Sequence, residues 1–240
     1  MIQFSDFEKH TGIIFKDKNL LKQAFIHRSY INENPNTGMT HNERLEFLGD
    51  AVLELIVTDF LYRKYDNYTE GELTAVRSAL VNAVIISDVA LASGMNDFLL
   101  LSKGEMKDMG KARQYILANT YEAFIGAVYL DQGYDAVNEY VSKSLLPKTE
   151  EIVKKKLWRD AKSLVQEKAQ EYVGVTPFYK VLSESGPDHD KCFNVGILFG
   201  PDLIAEGKGK SKQEAEQKAA EEKNPAEAKA AGGADSFETA

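Results

Sequence analysis

From residue 42 to about 64 apolar side chains recur at a helical period. At roughly 100° per residue, Leu45, Leu48, Val52, Leu55 and Ile56 fall on one side of such a helix. Glu43, Glu46 and Asp50 fall within a narrow sector on the other. A second stretch, residues 115–130, is apolar almost all the way round, the pattern of a buried helix. Residues 19–30 predict a helix carrying Leu20, Leu21, Ala24 and Phe25. Another opens at a Thr69-x-x-Glu72 capping box and runs through Val76, Leu80, Val84 and Ile85 to about Ser93, where Gly94 stops it. Residues 103–110 are polar with two glycines, a loop, and residues 136–145 are a last amphipathic helix. To about residue 150 the chain is helical.

Past Trp158 the period changes. Residues 160–173 form an amphipathic helix, residues 177–183 and 193–199 read as strands, and residues 203–206 as a third after the turn Gly200-Pro201-Asp202. Ser211-x-x-Glu214, another capping box, opens a helix over residues 211–222. Lys154-Lys155-Lys156 marks a solvated hinge. The expected organisation is an all-helical domain (1–150), a linker (151–159), an α-β-β-β-α domain (160–223) and a disordered tail (224–240) rich in alanine. The fold class is mainly α.

Composition narrows the chemistry. Hydrophobic content of 43% is ordinary for a globular protein, and no apolar run is long enough to span a bilayer. The start of the chain lacks the basic and apolar regions of a signal peptide, so a cytoplasmic location without membrane partners is expected. One cysteine, Cys192, and four scattered histidines suggest neither a disulfide nor zinc or thiol chemistry. The net charge of −8 counts against nucleic acid at first sight, but phosphate binding depends on local charge. The acidic balance predicts modest affinity and strong salt sensitivity.

Glu43, Glu46 and Asp50 repel one another, with no lysine among them, and a divalent cation preferring oxygen ligands would relieve them. A Thr40-x-x-Glu43 capping box accounts for Glu43 alone. Glu122 sits in the middle of the apolar helix with Asn119 one turn earlier. A buried carboxylate is paired, protonated or metal-bound. It is therefore either a hydrogen-bonded core residue or one half of a metal site between two helices. Further on, Gly207-Lys208-Gly209-Lys210-Ser211-Lys212-Gln213 clusters lysines at a helix N-terminus, either a phosphate site or a solvated face.

The run Asn42-Glu43-Arg44-Leu45-Glu46-Phe47-Leu48-Gly49-Asp50 resembles the signature of the bacterial ribonuclease III family. His27-Arg28-Ser29-Tyr30 and Ala118-Asn119-Thr120-Tyr121-Glu122-Ala123 are similar to its flanking motifs, and the likeness extends to about Lys223. The α-β-β-β-α order resembles a double-stranded RNA-binding domain. The resemblance implies a metal-dependent endoribonuclease acting on double-stranded RNA in ribosomal and messenger RNA processing, leaving 5′-phosphate and 3′-hydroxyl ends. It implies Glu46, Asp50, Asn119 and Glu122 as ligands of Mg²⁺, with Mn²⁺ a substitute, Asp50 and Glu122 foremost in catalysis, and Glu43 and Glu70 as auxiliary acidic residues. It places Gln166, Glu167 and His189 in minor grooves and Lys210, Lys212 and Gln213 on phosphates. It also implies a homodimer, in which Phe47 serves an interface or an ordinary core. Most bacterial members carry Asp where this chain has Asn119, so weakened metal binding is expected; the alternative is a double-stranded RNA-binding protein with reduced catalysis. Gln213 stands where the family often has Lys, and the leucines that usually continue the last helix are missing.

Overall fold

The computed structural model describes residues 3–108, 110–155, 158, 161–187 and 191–221. The chain divides into two compact units, Met1–Trp158 and Arg159–Ala240.

The first unit is all-helical and is organised around two 22-residue helices, α4 (Glu43–Lys64) and α7 (Lys111–Gln132). Helix α4 buries Leu45, Gly49, Val52, Leu53, Ile56, Val57 and Leu61, a 3–4 spacing that keeps one face on the core. Leu55 does not join them: it is 57% exposed on the opposite face. Phe47, 82% exposed, has no core role either. Helix α1 (Phe4–Thr11), which the periodicity did not announce, seats Phe7 edge-on against Phe25 and Phe124, with ring centroids 4.9 and 5.3 Å away.

Two expected helices are each broken in two. Residues 19–30 become α2 (Lys18–Ala24) and α3 (Arg28–Glu33), because Ile26 leaves helical geometry to bridge Leu100. The His27 ring then caps α3, accepting from Ser29 N, and Ser29 Oγ accepts from Ser102 N at 3.0 Å. The stretch 69–93 becomes α5 (Glu70–Leu80), opened by the Thr69–Glu72 capping box, and α6 (Ala83–Ala92). Asn82 Oδ1 accepts from Ile85 N at 3.0 Å, and this local bond replaces helical continuation. Thr40 forms no capping box with Glu43. The N-cap is Asn42, whose side chain donates to Ala24 O at 3.0 Å and ties the start of α4 to the end of α2.

Helices α8 (Tyr134–Ser144) and α9 (Lys148–Lys154) close the unit. Helix α9 buries Ile152, so the stretch expected to link the domains begins inside the first core; Trp158 packs on Tyr68 at 5.9 Å. Among the described residues no single helix is long and apolar enough to cross a membrane; α5 and α6 reach that composition only together, across a 47° bend.

The second unit is an antiparallel sheet of β1 (Phe178–Ser185), β2 (Cys192–Phe199) and β3 (Asp202–Gly209), with α10 (Ala161–Val173) and α11 (Lys212–Glu221) packed together on one face. Gly200, at φ 63°, makes the β2–β3 turn. Val195, Ile197 and Phe199 alternate inward on β2, and Ile197 and Phe199 share a core with Val165 and Ala169 of α10 and Ala219 and Ala220 of α11. Helix α11 needs no leucine over these residues. A Cβ on Gly207 would lie 2.2 Å from Ala219 N, and one on Gly209 2.6 Å from Ala215 N, so two glycines let an alanine-faced helix lie against the strand. Ser211 caps α11 by accepting from Glu214 N at 3.1 Å, but the Glu214 carboxylate accepts from Lys210 N at 2.8 Å, one residue outside the expected box. The expected tail, residues 224–240, and His189 lie outside the described residues.

Candidate active site

Two glycines bring α4 and α7 into backbone contact. A Cβ on Gly49 would stand 1.7 Å from the Glu122 carbonyl oxygen, and one on Gly126 2.2 Å from the Leu45 carbonyl oxygen. Gly49 immediately precedes Asp50, and Gly126 lies one turn after Glu122. The closest approach of the helices is therefore where the acidic residues of both stand.

Helix α7 is buried from Arg113 to Val128 except at Gln114, Tyr115, Asn119 and Glu122. Glu122 thus opens to the surface through a narrow stripe, one turn from Asn119. Burial pushes its carboxyl up to about 7, reinforced by Asp50, Glu46 and Glu54. Glu46 is likewise raised, first by burial and then by Glu43 and Asp50. The neighbours that act on Glu122 are all carboxylates. Among the described residues its side chain has neither a hydrogen-bond donor nor a cation, and the same holds for Asp50. A satisfied core glutamate looks different here: Glu8 accepts from Phe15 N at 2.7 Å and from Lys18 Nζ at 2.6 Å. Glu54 escaped the sequence reading, although Glu46, Asp50 and Glu54 at i, i+4 and i+8 share one face. Among the described residues no three His, Cys, Asp or Glu side chains converge on one metal-sized point.

Glu43 adjoins the set and lies 3.7 Å from Arg28 Nη1, an exposed ion pair, and 3.7 Å from His41 Nδ1, beyond hydrogen-bond distance. Glu70 is not brought to it. At the first position of α5 it accepts from Thr74 Oγ1 and lines a cavity of about 440 Å³ with Thr58, Leu61, Tyr62, Leu73 and Arg77. That cavity flanks α4 two turns or more beyond Asp50, roughly 12 Å along the axis.

In the second unit Lys210, Lys212 and Gln213 are exposed at the start of α11, where backbone N–H groups and the positive dipole end point outward. Gln166 and Glu167 are exposed on α10. Lys212 Nζ lies 3.7 Å from Glu184 Oε1 and 5.7 Å from the centre of the Phe193 ring.

The profile of a family described as Ribonuclease-III-like matches residues 17–149, and that of the double-stranded RNA binding motif matches residues 161–222. Ribonuclease 3 of a Nitratiruptor species is 40% identical over 222 residues, 92% of this chain and 96% of that protein. Ribonuclease 3 of Protochlamydia amoebophila is 44% identical, covering 89% and 87%. The nuclease domain of ribonuclease III from Campylobacter jejuni, described for flexibility in a region involved in dimer formation, superposes with a TM-score of 0.55 at 37% identity. That likeness covers 61% of this chain and 98% of that one.

Proposed function

The chain belongs to the ribonuclease III family, as a ribonuclease with a double-stranded RNA-binding motif, and on that premise we propose that it hydrolyses phosphodiesters of double-stranded RNA with Mg²⁺, or Mn²⁺ in its place, leaving 5′-phosphate and 3′-hydroxyl ends in cytoplasmic RNA processing. The observation that carries this reading is Glu122: half-buried, without a hydrogen-bond or ion-pair partner among the described residues, and acted on by the carboxylates of Asp50, Glu46 and Glu54. Hard oxygen donors with surplus negative charge suit a divalent cation. Asp50, Glu122 and Glu46 would hold it, with Asn119 adding a neutral carbonyl oxygen. Such an ion supplies stabilisation of phosphoryl charge and activation of water. The chain's own part is to keep Glu122 in an apolar helix, so that its charge appears only near neutral pH, and to present Asp50 across the Gly49–Gly126 contact.

The sign of the pH effect follows. Below about 7 Glu122 holds a proton and is a poor ligand; above it the carboxylate is ionised. Apparent Mg²⁺ affinity, read from cleavage rates in a metal titration, should tighten by about tenfold or more from pH 6 to pH 8. A flat profile would remove Glu122 from the ligand set.

Asn119 favours the rival reading, an RNA-binding protein with weakened catalysis. Asn119→Asp restores a charge, and the Mg²⁺ concentration for half-maximal cleavage should fall several-fold. An unchanged requirement shows that position 119 does not set metal affinity.

A homodimer is supported by one face of α4, on which Phe47, Leu55 and Tyr62 are 82, 57 and 72% exposed at spacings of eight and seven residues. A second copy of the chain seated on this face would cover these three side chains. Phe47→Asp should then yield a monomer by sedimentation while keeping the helical circular dichroism; a variant that stays dimeric would contradict this arrangement.

A further inference from the structure

Glu184 stands where a phosphate-binding surface has no obvious use for it. It occupies the end of β1, paired in register with Phe193 of β2 and two residues before Gly186. Its carboxylate faces Lys212 Nζ at 3.7 Å, and Lys212 also lies over the Phe193 ring. Both members of the pair are substantially exposed, so the ion pair adds little to stability. The same helix start holds a second carboxylate, Glu214, on the Lys210 N–H. Groups suited to phosphate oxygens are therefore already engaged by carboxylates of the chain.

We propose that Glu184 is an affinity-setting residue: in the free protein it takes the place of a phosphate on Lys212, and RNA must displace it to form that contact. The inference rests on the reading of Lys212 as a phosphate contact. Binding exchanges one anion for another at Lys212 and leaves the Glu184 charge beside the backbone of the duplex. Affinity is lowered, and a contact with a single phosphate gains less than a free lysine would give. Glu214 does not serve the same end separably, because its carboxylate also pairs with Lys218 along α11.

The test is fluorescence anisotropy of the full-length protein with a labelled RNA duplex of about two turns, without divalent metal and over a range of KCl concentrations. Glu184→Gln should tighten binding three- to tenfold at the lowest salt and steepen the salt dependence by up to about one phosphate's share, roughly 0.9 in log Kd against log salt. Glu221→Gln, an equal charge change at the far end of α11, should alter Kd less than twofold. Lys212→Ala should weaken binding several-fold, and in that background Glu184→Gln should gain no more than the Glu221→Gln control. If Lys212→Ala leaves Kd unchanged, the phosphate contact itself is wrong and the proposal falls with it. If Lys212→Ala weakens binding but Glu184→Gln fails to tighten it, or tightens it equally without Lys212, the proposal alone is overturned.

Discussion

Glu122→Gln should destroy cleavage and stabilise the fold in the same experiment. Loss of a ligand charge is expected to lower kcat on the order of 10³-fold. The stability effect has the opposite sign. Folding raises this carboxyl from 4.5 to about 7, so the folded state holds the proton more tightly than the unfolded chain. Stability of the metal-free protein then falls as pH rises from about 4.5 to about 7, and stays low above that. After allowance for solvent on the open side of the stripe, the cost at pH 8 is about 1–2 kcal/mol. Glutamine removes it. Calorimetry should show wild type and variant melting together near pH 4, and the variant about 3–6 °C higher at pH 8. Adding Mg²⁺ should raise the wild type toward the variant. A variant less stable than wild type at pH 8 would mean that Glu122 is a structural residue.

The second large effect is expected at Gly49. Replacing glycine by alanine inside a helix ordinarily adds about 1 kcal/mol of helix propensity. Here the new Cβ would sit 1.7 Å from the Glu122 carbonyl oxygen, which belongs to the backbone of a buried helix and cannot turn aside. Forcing the helices apart is expected to cost about 3 kcal/mol or more, so the clash outweighs the propensity gain. Gly49→Ala should lower Tm by roughly 10 °C. Cleavage should fall further than the folded fraction does, because separating α4 from α7 draws Asp50 away from Glu122. Gly71→Ala is the control: its Cβ would meet nothing within 4 Å. Equal melting of Gly49→Ala and Gly71→Ala would refute the backbone contact.

The long elements were legible because their chemistry is local. A 3–4 spacing of apolar residues fixed the face of α4, and an all-round apolar run marked α7 as buried. The breaks were not legible from periodicity, which continues through residues 26 and 82. What ends those helices is a bridge from Ile26 to Leu100 and a side-chain bond from Asn82, of which only the second has a sequence signal, an Asn three residues before the N–H it accepts from. Leu55 and Phe47 show the same limit differently. Leu55 looks like core by its spacing and Phe47 fits a core or an interface, yet both are exposed on the single chain, because residue type and period alone do not separate a core position from an exposed apolar one. At the candidate site, Glu46, Asp50, Asn119 and Glu122 could be picked out from the sequence, but the glycines that bring their helices together were not read as such. Close backbone approach is a property of a pair of helices, and neither sequence window shows its partner.

The most direct measurement is single-turnover cleavage of a labelled, fully paired RNA of a few tens of base pairs across a Mg²⁺ titration at pH 8, beside single-stranded RNA and a DNA duplex. The account predicts metal-dependent cutting of the RNA duplex alone, with 5′-phosphate ends. Binding of the duplex without cutting at any Mg²⁺ or Mn²⁺ concentration would contradict it.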